Sequence, residues 1–539
     1  MGPARVQAPR RGDVNDPGPT RRGFLNLVGR AGGAAAVYHT MAAMGLLAVP
    51  HAYAGPPVLP QASGAGVKVV VLGAGLAGMT AAYELRKAGY DCTLLEARGR
   101  PGGRNWTIRG GDSIVERDAT QSCAFDAADH LYFNAGPARL PQHHQAILSY
   151  CREFGVPLEV MVNDNRAALF HSDTAFAGRP VVARQVISDG RGFLAELLAK
   201  AIDANALDGA IGAEDKERLL DFVRSFGALR PDNSYAGSGR GGFSSLPGAG
   251  AAPAKLNAPL AFAELLKSEF WYYKMHFAEG FDFAATMLQP VGGMDRIAAA
   301  FAAQLGGAIT YNAVVGEIRR SGDGARIVYR DAGGDERALI ADYVVCTIPL
   351  PVLAAIPADF SSDFSAAIRA AHYVKAAKVA FQSRRFWEED QHIYGGISWT
   401  DREITQIWYP SSGFHRRDGI LLGAYIWSDE IGEAFGNLAP AERIAAAIAS
   451  GEKLHPQYRG EVGRGVSVCW GNVPYSEGAW AEWQRAERAT VYARLIRPDG
   501  PFHLAGEHLS YLTGWQEGAV LSAHDVVAAI AERVRAKKG

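Results

Sequence analysis

Cysteine is scarce in this chain of 539 residues: there are five, at positions 92, 123, 151, 346 and 469. No two form a CxxC pair and several sit in apolar stretches, which argues against a zinc ribbon, an iron–sulfur cluster and a disulfide framework. An excess of either charge is also lacking. Lys+Arg is 55 and Asp+Glu is 56, a net charge of −1. That balance argues against a general nucleic-acid or other polyanion binder and leaves open only a local basic patch. No stretch reads as a stable membrane span, and no internal repeat or low-complexity domain is visible. What is present, 48% apolar and 21% charged residues, is the composition of a folded globular protein. The length suggests two or three domains around a large core.

The first 54 residues contain no lysine but six arginines, at positions 5, 10, 11, 21, 22 and 30. The segment TRRGFL at 20–25 resembles the twin-arginine export signal. A weakly apolar stretch follows over 31–50, interrupted by His39, and Ala52 and Ala54 frame a small-x-small cleavage site. A disordered tail or a membrane anchor is the alternative. The expectation is a signal peptide over 1–54 and a periplasmic or secreted product. The mature chain would carry 49 basic and 54 acidic residues, a net charge of −5. The resemblance implies export of an already folded protein, which suits one that receives a redox cofactor beforehand.

The run from Val67 to Leu72 is short, apolar and β-branched, and reads as a buried parallel strand. Gly73, Gly75 and Gly78 follow it in GxGxxG spacing, then a helix over 76–88 ended by Gly89, then a second strand over 90–95. Glu96 closes that strand, 18 residues beyond Gly78. In this context the glycines permit a tight turn, backbone approach to a pyrophosphate and close strand–helix packing. The helix N-terminus favours the phosphates, and Glu96 can accept from ribose hydroxyls. Residues 139–285 read as mostly helical, broken by a Gly/Ser/Pro loop over 234–253 that is either a lid, part of an access funnel or a passive insertion. Strand-like runs return over 308–318, 325–329 and 341–347, a mixed region covers 375–480, and a last helix spans about 516–536.

LEARGRPGGR at 95–104, LAGE at 504–507 and TGWQEGA at 513–519 resemble segments of the flavin-dependent amine oxidase superfamily. So do PVGGM at 290–294 and CTIPL at 346–350. The likeness runs from about Val67 to Ile530. It implies an α/β chain with a two-domain flavin amine oxidase-like fold: a Rossmann-type FAD-binding domain and a mixed-sheet plus helical substrate domain. The FAD-binding pieces are expected at 55–138, 286–350 and 481–539, and the substrate pieces at 139–285 and 351–480. The same likeness places Leu76, Ala77, Glu96, Ala97, Arg104, Gly136, Arg139, Val315, Glu507, Gly514, Trp515, Gln516, Glu517, Gly518 and Ala519 against FAD, with Gly75 and Arg98 near its phosphates. A helix N-terminus at Gln516 would favour negative charge on the reduced flavin. Monoamine oxidases of the superfamily bond flavin through a cysteine in a segment similar to YSEGAW at 475–480. Ala479 stands at that position here, which implies noncovalent FAD.

NAGPARLP at 134–141 resembles the segment of L-amino acid oxidases whose arginine grips the substrate carboxylate. A guanidinium fork matches two carboxylate oxygens, and a simple amine has no use for it. Arg139 takes that role by resemblance, with a surface or phosphate-facing arginine as the alternative. Tyr425 is implied to donate to the same carboxylate, the Gly514 carbonyl to accept from the amine, and Trp515 to wall the pocket; core packing is the alternative for both aromatics. The spacing from His372 picks Lys378 over Lys375 as the lysine implied to hold a water and stabilise reduced oxygen, unless it is a surface lysine.

These resemblances imply an exported enzyme that oxidatively deaminates L-amino acids to 2-oxo acids, ammonium and hydrogen peroxide, with molecular oxygen as co-substrate and no metal. The rivals are a decarboxylating L-amino acid 2-monooxygenase, a polyamine or monoamine oxidase, and a flavoprotein that binds without turnover. Side-chain preference is not legible, and the sequence leaves a homodimer open.

Overall fold

Val69, Val70, Val71 and Leu72 are all buried, as a strand covered on both faces requires. A computed structural model describes residues 53–204 and 212–538, and every element belongs to the unit spanning 56–539. The twin-arginine motif and apolar stretch expected over 1–54 lie outside the described residues up to 52. Among the described residues, no helix is long and apolar enough to cross a membrane.

The strand Lys68–Leu72 is central in a five-stranded parallel sheet. Asp91–Leu95 and then Ile309–Thr310 lie on one side, and Tyr343–Cys346 and then Phe502–Leu504 on the other. The chain enters the helix Leu76–Lys87 through Gly73, whose φ of 102° is open to glycine. At Gly78 a Cβ would lie 2.0 Å from the Gly73 carbonyl oxygen, so only glycine lets this helix sit so close to the turn. Helix Leu76–Lys87 packs on this sheet, and helix Gln516–Lys538 packs against that helix. A three-stranded antiparallel sheet, Val314–Ser321, Gly324–Arg330 and Glu336–Ala341, shares the core beneath.

A second, seven-stranded mixed sheet runs Val181–Val182, Leu169–His171, Gly396–Thr400, Gln406–Tyr409, Asp418–Ile426, Ala377–Arg384 and Val462–Cys469. Side chains alternate between its two buried faces. Val379, Phe381, Ile407, Tyr409 and Leu421 pack on one face; Ala380, Trp399, Trp408 and Leu422 pack on the other.

Residues 139–285 are less helical than their composition suggests. They hold helices Gln145–Glu153, Ala183–Asp203, Ala213–Gly227 and Phe262–Lys267. The span 157–182 instead supplies strands Leu158–Met161, Leu169–His171 and Val181–Val182, each too short to show a period of its own. The loop read over 234–253 contains the short strand Phe243–Ser245, paired with Lys255–Leu256.

Candidate active site

At the carboxyl ends of the parallel strands lies a cavity of about 510 Å³. Gly73, Gly75, Leu76 and Ala77 line one end. Gly75 is the N-cap of the first helix, no side chain caps that end, and its first turn carries no acid. The helix thus presents its N-terminus to the cavity, the arrangement that suits a pyrophosphate. A Cβ on Gly75 would meet nothing within 4 Å, which leaves the approach open. Glu96 lines the same end and is buried. Its carboxylate accepts from the Ala74 N–H at 2.8 Å and the Arg98 N–H at 2.9 Å, which fixes the turn around it. Ala97, Arg98 and Val315 complete that end, with the Arg98 guanidinium donating to Ser476 Oγ at 2.8 Å.

Further in, Arg104 Nη1 donates to Glu507 Oε1 at 2.7 Å and to the Ala479 carbonyl at 2.8 Å. Glu507 Oε2 in turn accepts from the Gly514 N–H at 2.9 Å. One ion pair thus sets the glycine-rich segment against the turn that starts the last helix. Arg104, Gly136, Ala479, Glu507, Gly514, Trp515, Gln516 and Ala519 all line the cavity.

The period of the second sheet builds the opposite wall. Lys378 pairs in register with Tyr425 on the adjacent strand, and both line the cavity on the face that carries Trp408. Lys378 is 1% exposed. Its Nζ donates to the Asn134 carbonyl at 3.0 Å and the Gly136 carbonyl at 2.5 Å, and stands 4.2 Å from the centre of the Tyr425 ring. Burial, with the nearby positive charge of Arg139, pushes its pKa down to about 7. Lys375 instead spends its ammonium on the Glu477 carbonyl at 3.0 Å.

Four residues expected against the cofactor lie off this wall. Gly78 faces the Gly73 carbonyl and the strand behind it. Glu517 points away and caps the helix Gln145–Glu153, accepting from the Ala146 and Ile147 N–H groups at 2.9 and 2.8 Å. Gly518 is packed against Ser510 and Leu512.

The fourth is Arg139, which is 6% exposed. Its guanidinium is surrounded by the rings of Phe277, Phe283, Trp408, Trp427 and Trp515, at 4.7–5.8 Å from their centres. Its hydrogen bond is to Asn163 Oδ1 at 2.8 Å, and Asn163 is held in turn by the Phe283 carbonyl at 2.7 Å. No carboxylate of the described residues pairs with it, and burial pushes its pKa down to about 10. Asn163 and the rings of Phe277, Phe283, Trp408 and Trp427 were not singled out from sequence. Trp427 follows Tyr425 by two on the same stretch of chain, and that spacing was a signal. Phe277, Phe283 and Asn163 lie outside regular strands and gave none.

Residues 76–531 match the family model of flavin containing amine oxidoreductases. The chain belongs to that family. The family implies a flavin, and the cavity's open helix N-terminus, glycine approach and buried Glu96 suit FAD. Among curated proteins, this amine oxidoreductase is 28% identical over 491 residues to the flavin-dependent L-tryptophan oxidase RebO of Lentzea aerocolonigenes, covering 86% of this chain and 98% of that one. It is 29% identical to an L-amino-acid oxidase of Mus musculus, covering 84% and 69%, and 28% identical to one of Siganus canaliculatus, covering 84% and 83%. Among solved structures, it resembles putrescine oxidase bound to putrescine, with TM-score 0.57 and 20% identity over 86% of this chain and 99% of that one. It also resembles cyclohexylamine oxidase of Brevibacterium oxydans, with TM-score 0.58 and 17% identity over 87% and 99%. The fold is therefore the α/β fold of flavin amine oxidases.

Proposed function

We propose that this oxidoreductase oxidises the α-amino group of L-amino acids, giving 2-oxo acids, ammonium and hydrogen peroxide. One observation carries the reading: Arg139 is a buried cation with no acid of the described residues beside it. Buried charges are ordinarily paired, because an unpaired one forfeits its hydration. An α-carboxylate entering the aromatic box would supply the missing partner through two parallel N–H donors. A simple amine would leave Arg139 unpaired. The curated relatives named for L-amino acids support the same side; the structural likenesses to amine oxidases speak for the fold alone.

Bound FAD would accept the two electrons of the amine oxidation and pass them to molecular oxygen. The chain's own groups do the rest. Arg139 and Tyr425 hold the carboxylate, the Gly514 carbonyl orients the amine, and Trp515 closes the box against water; such positioning can supply much of the acceleration. Lys378 keeps a weakly held proton and a positive charge on the cavity wall, where an anion of reduced oxygen would be stabilised. Arg104, Glu507 and Gly514 hold the cofactor's wall in register. Ala479 offers no nucleophile, so the cofactor is held without a covalent bond. The twin-arginine likeness at 20–25 supports export of the folded, loaded enzyme.

The test is anaerobic mixing of the yellow holoenzyme with single L-amino acids and with the matching decarboxylated amines. Bleaching by amino acids at rates well above those for the amines is expected. Faster bleaching by amines would assign the chain to amine oxidation instead, and no bleaching by either would make it a binding protein.

A further inference from the structure

Outside the cavity, His143, His144 and Asp282 come together behind the Arg139 box. One ligand atom from each, two imidazole nitrogens and a carboxylate oxygen, lies within 4.8 Å of the others. His143 Nε2 is 2.8 Å from Asp282 Oδ1, and His144 Nε2 is 3.6 Å from the same oxygen. Ligands of a tetrahedral zinc ion, at about 2.0–2.2 Å from the metal, stand roughly 3.4 Å apart, between these two values. His144 is 1% exposed, and among the described residues neither of its ring nitrogens has a partner within 3.5 Å, Asp282 Oδ1 standing just beyond, although a buried imidazole ordinarily finds one. The Phe281 ring lies 4.1 Å from that of His143, and the Trp515 ring stands edge-on 5.0 Å from His144; both hold the imidazoles in place.

The other candidate cluster is unlike this one. At His171, Asp173 and Asp401, a guanidinium already sits on one acid: Arg402 reaches Asp173 at 3.0 Å. No lysine or arginine of the described residues pairs with Asp282. Two imidazoles and one carboxylate form a donor set that suits zinc, with a fourth position left for water.

We propose that His143, His144 and Asp282 bind a divalent zinc ion that braces the substrate box. The two histidines follow Arg139 on one side of the box. Asp282 precedes Phe283, whose carbonyl holds Asn163, which holds Arg139. An ion between them ties the two chain segments that set the guanidinium. It touches neither the substrate nor the cofactor cavity, so its effect on the enzyme is through position alone.

Equilibrium dialysis of the chelator-treated holoenzyme against micromolar zinc, with thermal melts alongside, tests this. Wild type should retain one equivalent of zinc that Asp282→Asn and His143→Asn each lose. His171→Asn should retain it. Zinc at a hundredfold excess over its Kd should raise the wild-type Tm by a few degrees, and leave the Asn variants at position 282 or 143 unmoved. Both side chains are partly exposed, and flavin absorbance reports whether the variants fold. Should correctly folded Asp282→Asn and His143→Asn bind zinc as wild type does, or wild type bind none, the cluster is a hydrogen-bonded His–Asp pair and the proposal fails.

Discussion

No acid of the described residues neutralises Arg139, and that makes it the residue whose replacement discriminates best. Truncating one partner of a buried, hydrogen-bonded charge pair costs about 2–5 kcal/mol. In Arg139→Met, kcat/KM for the best amino acid should fall on the order of 30- to several-thousand-fold, while turnover of the matching amine holds or rises. The ratio of the two substrates is the measurement, and a parallel fall in both would place Arg139 in service of the fold. Lys378 gives a second prediction with a definite sign. Its ammonium, titrating near 10.5 when unfolded, is pushed to about 7 in the folded chain. The unfolded state therefore holds this proton more tightly, and stability from this site is lowest below pH 7 and rises toward pH 10. Lys378→Met should melt above wild type at pH 6, with the gap closing as pH rises. Oxygen-dependent turnover should fall by about 10²-fold, the usual effect of removing one preorganised charge-stabilising group. If Tm falls at pH 6 instead, the charged lysine is stabilising and burial does not lower its pKa. Both residues were legible in the sequence because short motifs carry them. Asn163, Phe277 and Phe283 were not, since the box is closed by irregular segments more than 100 residues apart.

Helices explain which neighbours in a motif reach the ligand. Successive residues of a helix are rotated by about 100°, so two adjacent ones cannot face the same cavity equally. Gln516 and Ala519, three apart, line it, whereas Glu517 and Gly518 turn away. A motif read as a string treats all four alike and gives no sign that the Glu517 side chain turns from the cavity. Its carboxylate serves another helix, satisfying two buried backbone N–H groups at the start of Gln145–Glu153. Glu517→Ala should destabilise the protein by about 1–3 kcal/mol, the cost of leaving such donors unmet. FAD affinity of the folded fraction should be unchanged, and a cofactor loss larger than the stability loss would return Glu517 to the cofactor wall. The strand–turn–helix–strand from Val67 to Glu96 was legible throughout, because hydrophobic run, glycine spacing and acid agree. The short strands of 157–182 were not, since two to four residues carry no period, and Leu158–Met161 and Leu169–His171 pair with chain more than 100 residues away.

The proposed export and cofactor loading would be properties of the whole molecule. Arg21→Lys with Arg22→Lys should leave active enzyme in the cytoplasm, as fractionation and flavin fluorescence would show; undiminished export would remove the twin-arginine reading. The parallel sheet bears on the same question. Its central strand, Lys68–Leu72, is among the first elements to leave the ribosome, yet Phe502–Leu504, which completes one edge, follows it by about 430 residues. In between, the chain builds the seven-stranded sheet and returns. The nascent polypeptide therefore carries an apolar, β-branched strand whose neighbour on one side, Tyr343–Cys346, follows only about 270 residues later, roughly 15–50 s at ordinary elongation rates. It is during this interval that a chaperone has something to hold, and the cavity that would take the flavin lacks its Gly514, Trp515, Gln516 and Ala519 side until those residues have been added.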